Sequence, residues 1–153
     1  MKLAIGGDHR GAAAVRLLAE RLRADGHEVA VHGNLTGETS DYPDAAFQVA
    51  TAVASGESQR GILVCGTGIG TSIAANKVPG IRAAVVHDEL TAEMSRSHND
   101  ANCICLSADL LGQRLIEKIV DIWLATPFLG GRHERRIRKI AEIEKAHDPG
   151  ASG

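Results

Sequence analysis

Residues 61–76, Gly-Ile-Leu-Val-Cys-Gly-Thr-Gly-Ile-Gly-Thr-Ser-Ile-Ala-Ala-Asn, are the stretch around which the chain is organised. Ile62, Leu63 and Val64 form a short apolar run of the kind buried in a parallel sheet. Cys65 stands where that run ends, and Gly66, Gly68 and Gly70 then alternate with Thr67, Ile69 and Thr71. Three glycines let the backbone turn tightly and bring its N–H groups close to a ligand. Ser72 to Asn76 read as a short helix, so the loop donors are expected at a helix N-terminus, a ready anion site. A thiol at the edge of such a site can serve as base or nucleophile.

Other readings of this loop fail on particular residues. A dinucleotide fingerprint needs a third Gly where Thr71 stands; Asp88 has the offset of a ribose-binding acid, but the intervening helix stops before Pro79. The Gly-Lys-Ser/Thr of a P-loop is absent. A cysteine phosphatase would want an Arg where Thr71 sits, and no Cys-x-x-Cys supports a thioredoxin-like site. The plain alternative is a tight turn beside a small buried cysteine.

A chain of 153 residues, 44% hydrophobic and 24% charged, has the size and composition of one globular domain with a substantial core. We expect that domain over 1–147 and a disordered tail over 148–153. Aromatics at 3%, with many Ala and Gly, favour helices packed closely on a sheet over an all-β fold. A net charge of −2 gives no general attraction to nucleic acid or membrane. No stretch could span a bilayer, and Met1–Ile5 is too short for a signal peptide. Three cysteines, an odd number, argue for a reducing cytoplasm.

Strand and helix patterns alternate about five times. Strands are expected at Lys2–Ile5, Glu28–His32, the run into Cys65, Ile81–Val86 and Asn102–Leu106. Between them, Val15, Leu18 and Leu22 repeat at helical spacing, and Pro43 opens a helix whose apolar side is read as Phe47, Ala50 and Ala54. A further helix runs from about Asp88 to Ser97. Leu115, Ile116, Ile119, Val120, Trp123 and Leu124 mark the clearest amphipathic helix, and Gly130-Gly131 separate it from a last one, Arg132 to about Lys145. The alternation calls for an α/β fold, a five-stranded parallel sheet with helices on both faces and an extra C-terminal helix. Ligands bind beyond the carboxyl ends of such strands. There lie Asp8-His9, the Cys65 loop, His87-Asp88 and Asp109, whereas His98-Asn99 fall at the far end of a helix.

Asp8 can cap the following helix, and His98 can be a plain C-terminal helix residue or a general acid. Cys103 and Cys105 share one face of a strand and read as core. Arg132, Arg136 and Lys139, spaced i, i+4, i+7, share a helical face, either solvated or a phosphate clamp. Without stacking aromatics, a nucleic-acid surface is disfavoured.

Several stretches together resemble the sugar-phosphate isomerase family that holds ribose-5-phosphate isomerase B with the galactose-6-phosphate and tetrose-phosphate isomerases. They are Gly7-Asp8-His9, Asp41-Tyr42-Pro43-Asp44, Gly61 to Pro79, Ile81-Arg82-Ala83-Ala84, His98-Asn99-Asp100-Ala101-Asn102 and Gly130-Gly131-Arg132-His133, in order, from about residue 2 to 143. The resemblance implies a Rossmann-like three-layer sandwich and a homodimer or dimer of dimers with sites shared between subunits, with no metal and no cofactor. It implies that Cys65 is the base moving a proton between C1 and C2, with Thr67 assisting and the N–H groups of Gly66, Thr67, Gly68, Ile69 and Gly70 holding the enediolate. His98 would be the acid that opens the furanose ring, with Asp8 nearby. His9, Arg132 and Arg136 would hold phosphate, Asn99 a sugar hydroxyl, and Tyr42 would border the site. The implied reaction is ribose 5-phosphate to ribulose 5-phosphate; the alternatives are a tetrose or hexose phosphate, or a sugar-phosphate-binding module without chemistry.

Two departures bear on the substrate. The family's common Asp-His-Ala-Gly is here Asp8-His9-Arg10-Gly11, and its Gly-Ala-Arg after the fifth strand is Ser107-Ala108-Asp109. That Arg ordinarily contributes to phosphate binding. Arg10 is therefore expected to take over the phosphate contact, with Asp109 paired to it or turned to a sugar hydroxyl; the alternative is that both are surface residues.

Overall fold

The structure, a computed structural model, describes residues 1–148 and 150; the expected disordered tail therefore falls largely outside the described residues. Five strands and six helices follow in the order β1 Lys2–Gly7, α1 Ala12–Ala24, β2 Glu28–His32, α2 Tyr42–Ala54, β3 Arg60–Cys65, α3 Ile69–Ala75, β4 Ala83–Val85, α4 Glu89–Ser97, β5 Cys103–Ser107, α5 Gln113–Ala125 and α6 Arg132–Ala146. All pairings are parallel, in the order β2-β1-β3-β5-β4. This is the expected α/β sheet, and among the described residues no helix is long and apolar enough to cross a membrane.

Both faces of the sheet are covered, so its strands need no apolar–polar alternation. Ile62 and Val64 face one side with Leu3, Ile5, Ile104 and Leu106, where α1 and α5 bring Val15, Leu18, Ile116, Ile119 and Trp123. Leu63 faces the other, with Ala4, Cys103 and Cys105, against Val49, Val53 and Ala75 of α2 and α3. Cys103 and Cys105 are buried in that core, as expected. Burial pushes the Cys103 thiol up to about 12 and raises Cys105 further, so neither is available for proton transfer at neutral pH. Trp123 is fully buried on the first side, with the Arg60 and Arg96 guanidinium carbons 5.5 and 6.0 Å from its ring centre.

Three local expectations are corrected. The inner side of α2 is Ala45, Ala46, Val49, Ala50 and Val53; Phe47 is 62% exposed and Ala54 is exposed. Small residues let α2 lie close on the sheet, which leaves no room beneath it for a phenyl ring. The short helix begins at Ile69 rather than Ser72, because Gly68 takes φ +79 and ends the loop there. β4 spans 83–85 rather than 81–86, since Ile81 N–H turns to the Val78 carbonyl and Arg82 N–H to the Asn102 side chain.

Candidate active site

β1 and β3 are neighbours with Gly7 opposite Val64, and β3 and β5 are neighbours with Cys65 opposite Ser107. The carboxyl ends of three adjacent strands thus bring Asp8–Gly11, Cys65–Gly70 and Ser107–Asp109 together. A hollow of about 310 Å³, along Lys2, Glu28 and Glu57, lies at the opposite, amino ends of the strands, away from that cluster.

Cys65 is 4% exposed, and three contacts fix its sulfur and loop. The Gly68 N–H donates to Sγ at 3.1 Å, the Thr71 hydroxyl lies 3.5 Å from Sγ, and that hydroxyl donates to the Gly68 carbonyl at 3.1 Å. An N–H aimed at sulfur stabilises negative charge on it. The left-handed φ of Gly68 turns the chain from the loop into α3 directly after that N–H, and a Cβ there would lie 3.1 Å from the Cys105 carbonyl oxygen. The hydroxyl against the sulfur is therefore Thr71's. Thr67 accepts the Ile69 N–H on its own Oγ1, and its carbonyl meets His87 Nε2 at 3.2 Å. Of the five expected loop donors, Gly68 and Ile69 already have acceptors within the loop.

The loop is braced from both sides. Ser107 Oγ donates to the Gly66 carbonyl at 2.6 Å, and the Asp109 N–H to the same oxygen at 3.1 Å. The Tyr42 ring lies so close to Gly70 that a Cβ there would sit 2.6 Å from Cε2 and Cζ. Buried Asp8 accepts the N–H groups of Arg10 and Gly11 on Oδ1 at 3.0 and 3.1 Å, which shapes the turn before α1. His9 Nδ1 lies 3.2 Å from both backbone polar atoms of Ser40. Arg10 reaches across Gly66 to Asp109: Nε is 3.2 and 3.0 Å from the two carboxylate oxygens, and Nη2 is 2.5 Å from Oδ2. The expected pairing of Arg10 with Asp109 is present. The carboxylate holds the guanidinium even more firmly protonated than usual.

The other expected residues form a second group. His98 caps the C-terminus of α4, and its ring stacks on His133 in the first turn of α6. Asp100, at φ +44, accepts from Arg96 and Arg82 at 2.8 and 3.1 Å and locks the turn after His98. The Leu129 N–H on the Ser97 carbonyl, and Glu144 on the Gly80 N–H, hold α6 alongside, with Arg132, Arg136 and Asn99 exposed. α4 starts beside His87, at the Cys65 loop, and His98 ends it nine residues later. At about 1.5 Å per residue, His98 is a whole helix length from the loop. Among the described residues no hydrogen bond or ion pair joins the two groups. Burial, then the charges of His98, Arg132 and Arg136, hold His133 below the usual imidazole range.

Residues 3–140 match the family described as Ribose/Galactose Isomerase. The chain belongs to that family. Among ribose/galactose isomerase relatives, ribose-5-phosphate isomerase B of Escherichia coli strain K12 is 45% identical over 144 residues, spanning 94% of this chain and 97% of its own. The structure of Clostridium thermocellum ribose-5-phosphate isomerase B superposes with a TM-score of 0.95 at 52% identity, over 97% of this chain and 100% of that one. The Mycoplasma genitalium ribose-5-phosphate isomerase B, a structure with bound ribulose-5-phosphate, gives 0.90 at 42%, over 94% and 96%. The isomerase family thus accounts for the fold as a whole. Thr71, Ser107 and His133 stand inside stretches that the sequence marks as motifs, but nothing in the sequence gave any of the three a role of its own at the site.

Proposed function

We propose that the chain interconverts ribose 5-phosphate and ribulose 5-phosphate by proton transfer through an enediolate. The observation that carries this reading is the buried Cys65 sulfur at the mouth of the strand ends, with the Gly68 N–H donated to it. Aldose–ketose conversion needs a base for a weakly acidic carbon proton and donors for the oxyanion that forms. Cys65 takes the proton from C2 of the open-chain aldose and returns it to C1. The loop N–H groups of Gly66, Thr67 and Gly70 hold the enediolate oxygen, those of Gly68 and Ile69 being engaged within the loop, and Thr67 assists near the base beside the Thr71 hydroxyl that touches the sulfur. The two carbons exchange oxidation level internally, so no redox partner is consumed. His98 opens the furanose ring beside Asp8, Asn99 takes a sugar hydroxyl, Tyr42 borders the site, and His9, Arg132 and Arg136 hold the phosphate.

Because His98 and Cys65 lie a helix length apart, the complete site is assembled from two subunits, in a homodimer or a dimer of dimers. Exposed Phe47, Ile69 and Ile73 beside the loop support burial against a second copy. Residues 1–147 act as one domain, and three free thiols support a reducing cytoplasm. Incubating the protein with ribose 5-phosphate, with and without a chelator, should produce ribulose 5-phosphate at equal rates. No ketose would overturn the reading, and higher kcat/KM on erythrose 4-phosphate would replace the substrate.

A further inference from the structure

Arg10 and Asp109 form the one part of the loop cluster for which the family pattern supplies no role. The pair lies directly on Gly66, next to the base: a Cβ at 66 would sit 3.0 Å from both Arg10 Nε and Asp109 Oδ2. Its side chains are 56% and 38% exposed, so it contributes little to stability. Its geometry is nonetheless specific. Asp109 engages the Nε/Nη2 edge of the guanidinium. A guanidinium carries five N–H donors in a planar fork, so the Nη1/Nη2 edge keeps a second pair of parallel donors. Among the described residues Nη1 has no acceptor. His9, the adjacent residue, is tied back to Ser40, and Asp8 fixes the Arg10 backbone. A carboxylate on this rim repels a phosphate dianion unless a cation stands between them, and Arg10 is that cation.

We propose that Arg10 is a substrate-phosphate ligand and that Asp109 is its positioning residue, holding one edge of the guanidinium so that the other faces the phosphate. This inference rests on the sugar-phosphate isomerase reading. It implies that Asp109 acts with opposite sign in two backgrounds. With Arg10 present, Asp109 helps binding by fixing the fork; with Arg10 gone, it is a bare anion facing a dianion and hinders binding.

The test uses the full chain as wild type, Arg10→Ala, Asp109→Ala, the double Ala variant, and Arg10→Ala with Asp109→Arg. KM and kcat on ribose 5-phosphate are measured beside the affinity for inorganic phosphate by calorimetry. Arg10→Ala should raise KM by roughly 10- to 100-fold, the range of a hydrogen bond to a charged group, with a smaller change in kcat. Asp109→Ala should raise KM in the wild type and lower it in Arg10→Ala, and Asp109→Arg should recover part of the loss. Phosphate affinity should follow the same signs. An unchanged KM in Arg10→Ala, or an Asp109→Ala effect of one sign in both backgrounds, overturns the inference. If no variant isomerises the sugar yet phosphate binding shows the sign reversal, the pair is an anion site and the isomerase reading fails alone. Should a variant misfold, Arg10→Gln and Asp109→Asn, which keep length and shape, are read in its place.

Discussion

His98 and His133 stack face to face, ring centroids 4.1 Å apart and planes 11° from parallel. Two imidazoles in that arrangement repel if both are charged, and His133 is the buried member, held below its ordinary value of 6.5 first by burial and then by His98, Arg132 and Arg136. The folded chain therefore binds this proton more weakly than the unfolded chain. The contribution of His133 is whole above the unfolded value and is lost as pH falls from there toward the depressed folded value. Melting curves between about pH 8 and pH 5 should show an acid-side loss of Tm that is shallower in His133→Asn. Identical pH slopes would show that the stack carries no such linkage.

Replacing Cys65, the proposed base, should separate chemistry from binding. In Cys65→Ala, turnover on ribose 5-phosphate should fall by roughly two orders of magnitude or more, the scale of a positioned base. The fold and the affinity for phosphate should be nearly unchanged, because a small buried side chain is traded for a smaller one. Steady-state kinetics on a variant with a wild-type circular dichroism spectrum decides this, and near-normal turnover rules out the role.

The left-handed turn at Gly68 should matter as much as the thiol it serves. Ala there must hold φ +79, at a cost of about 1–2 kcal/mol, with its Cβ 3.1 Å from the Cys105 carbonyl oxygen. Gly68→Ala is expected to lower Tm and to reduce kcat about tenfold or more, as the N–H leaves the sulfur. A lower Tm with full kcat would mean that this hydrogen bond is dispensable.

The proposed sharing of each site between two subunits predicts complementation. Cys65→Ala and His98→Ala proteins should each be inactive alone. After subunit exchange, each mixed dimer holds one site with both groups, so activity should rise above the sum of the parents. Mixed dimers verified by mass spectrometry that stay inactive would place both residues in one subunit's site.

The alternation of patterns made the sheet and helices legible, because buried parallel strands and amphipathic helices leave strong local signals. What eluded the sequence depends on close approach. Phe47 reads as a core residue until the Ala-rich face of α2 is seen to lie too near the sheet to admit it. Ile69 and Gly70 look like loop until Gly68 is seen to turn the chain into α3. Thr71 stands six residues from the thiol it touches, across a strand end and a loop, and His133 thirty-five residues from the imidazole it stacks on, with no periodicity linking either pair. The Arg10–Asp109 pair was legible because both departures from the family pattern concern charge, and opposite charges on one rim satisfy each other.

The placement of two rings equips the chain with its own optical reporters. Tyr42, the single tyrosine, leans on Gly70 of the Cys65 loop, whereas Trp123, the single tryptophan, is sealed on the far side of the sheet. Ligand arrival at the loop should therefore perturb tyrosine absorbance and emission while tryptophan stays silent, and loss of the core should shift the tryptophan emission that ligand leaves untouched. Binding and unfolding can thus be followed in one cuvette, on separate chromophores, with no label attached.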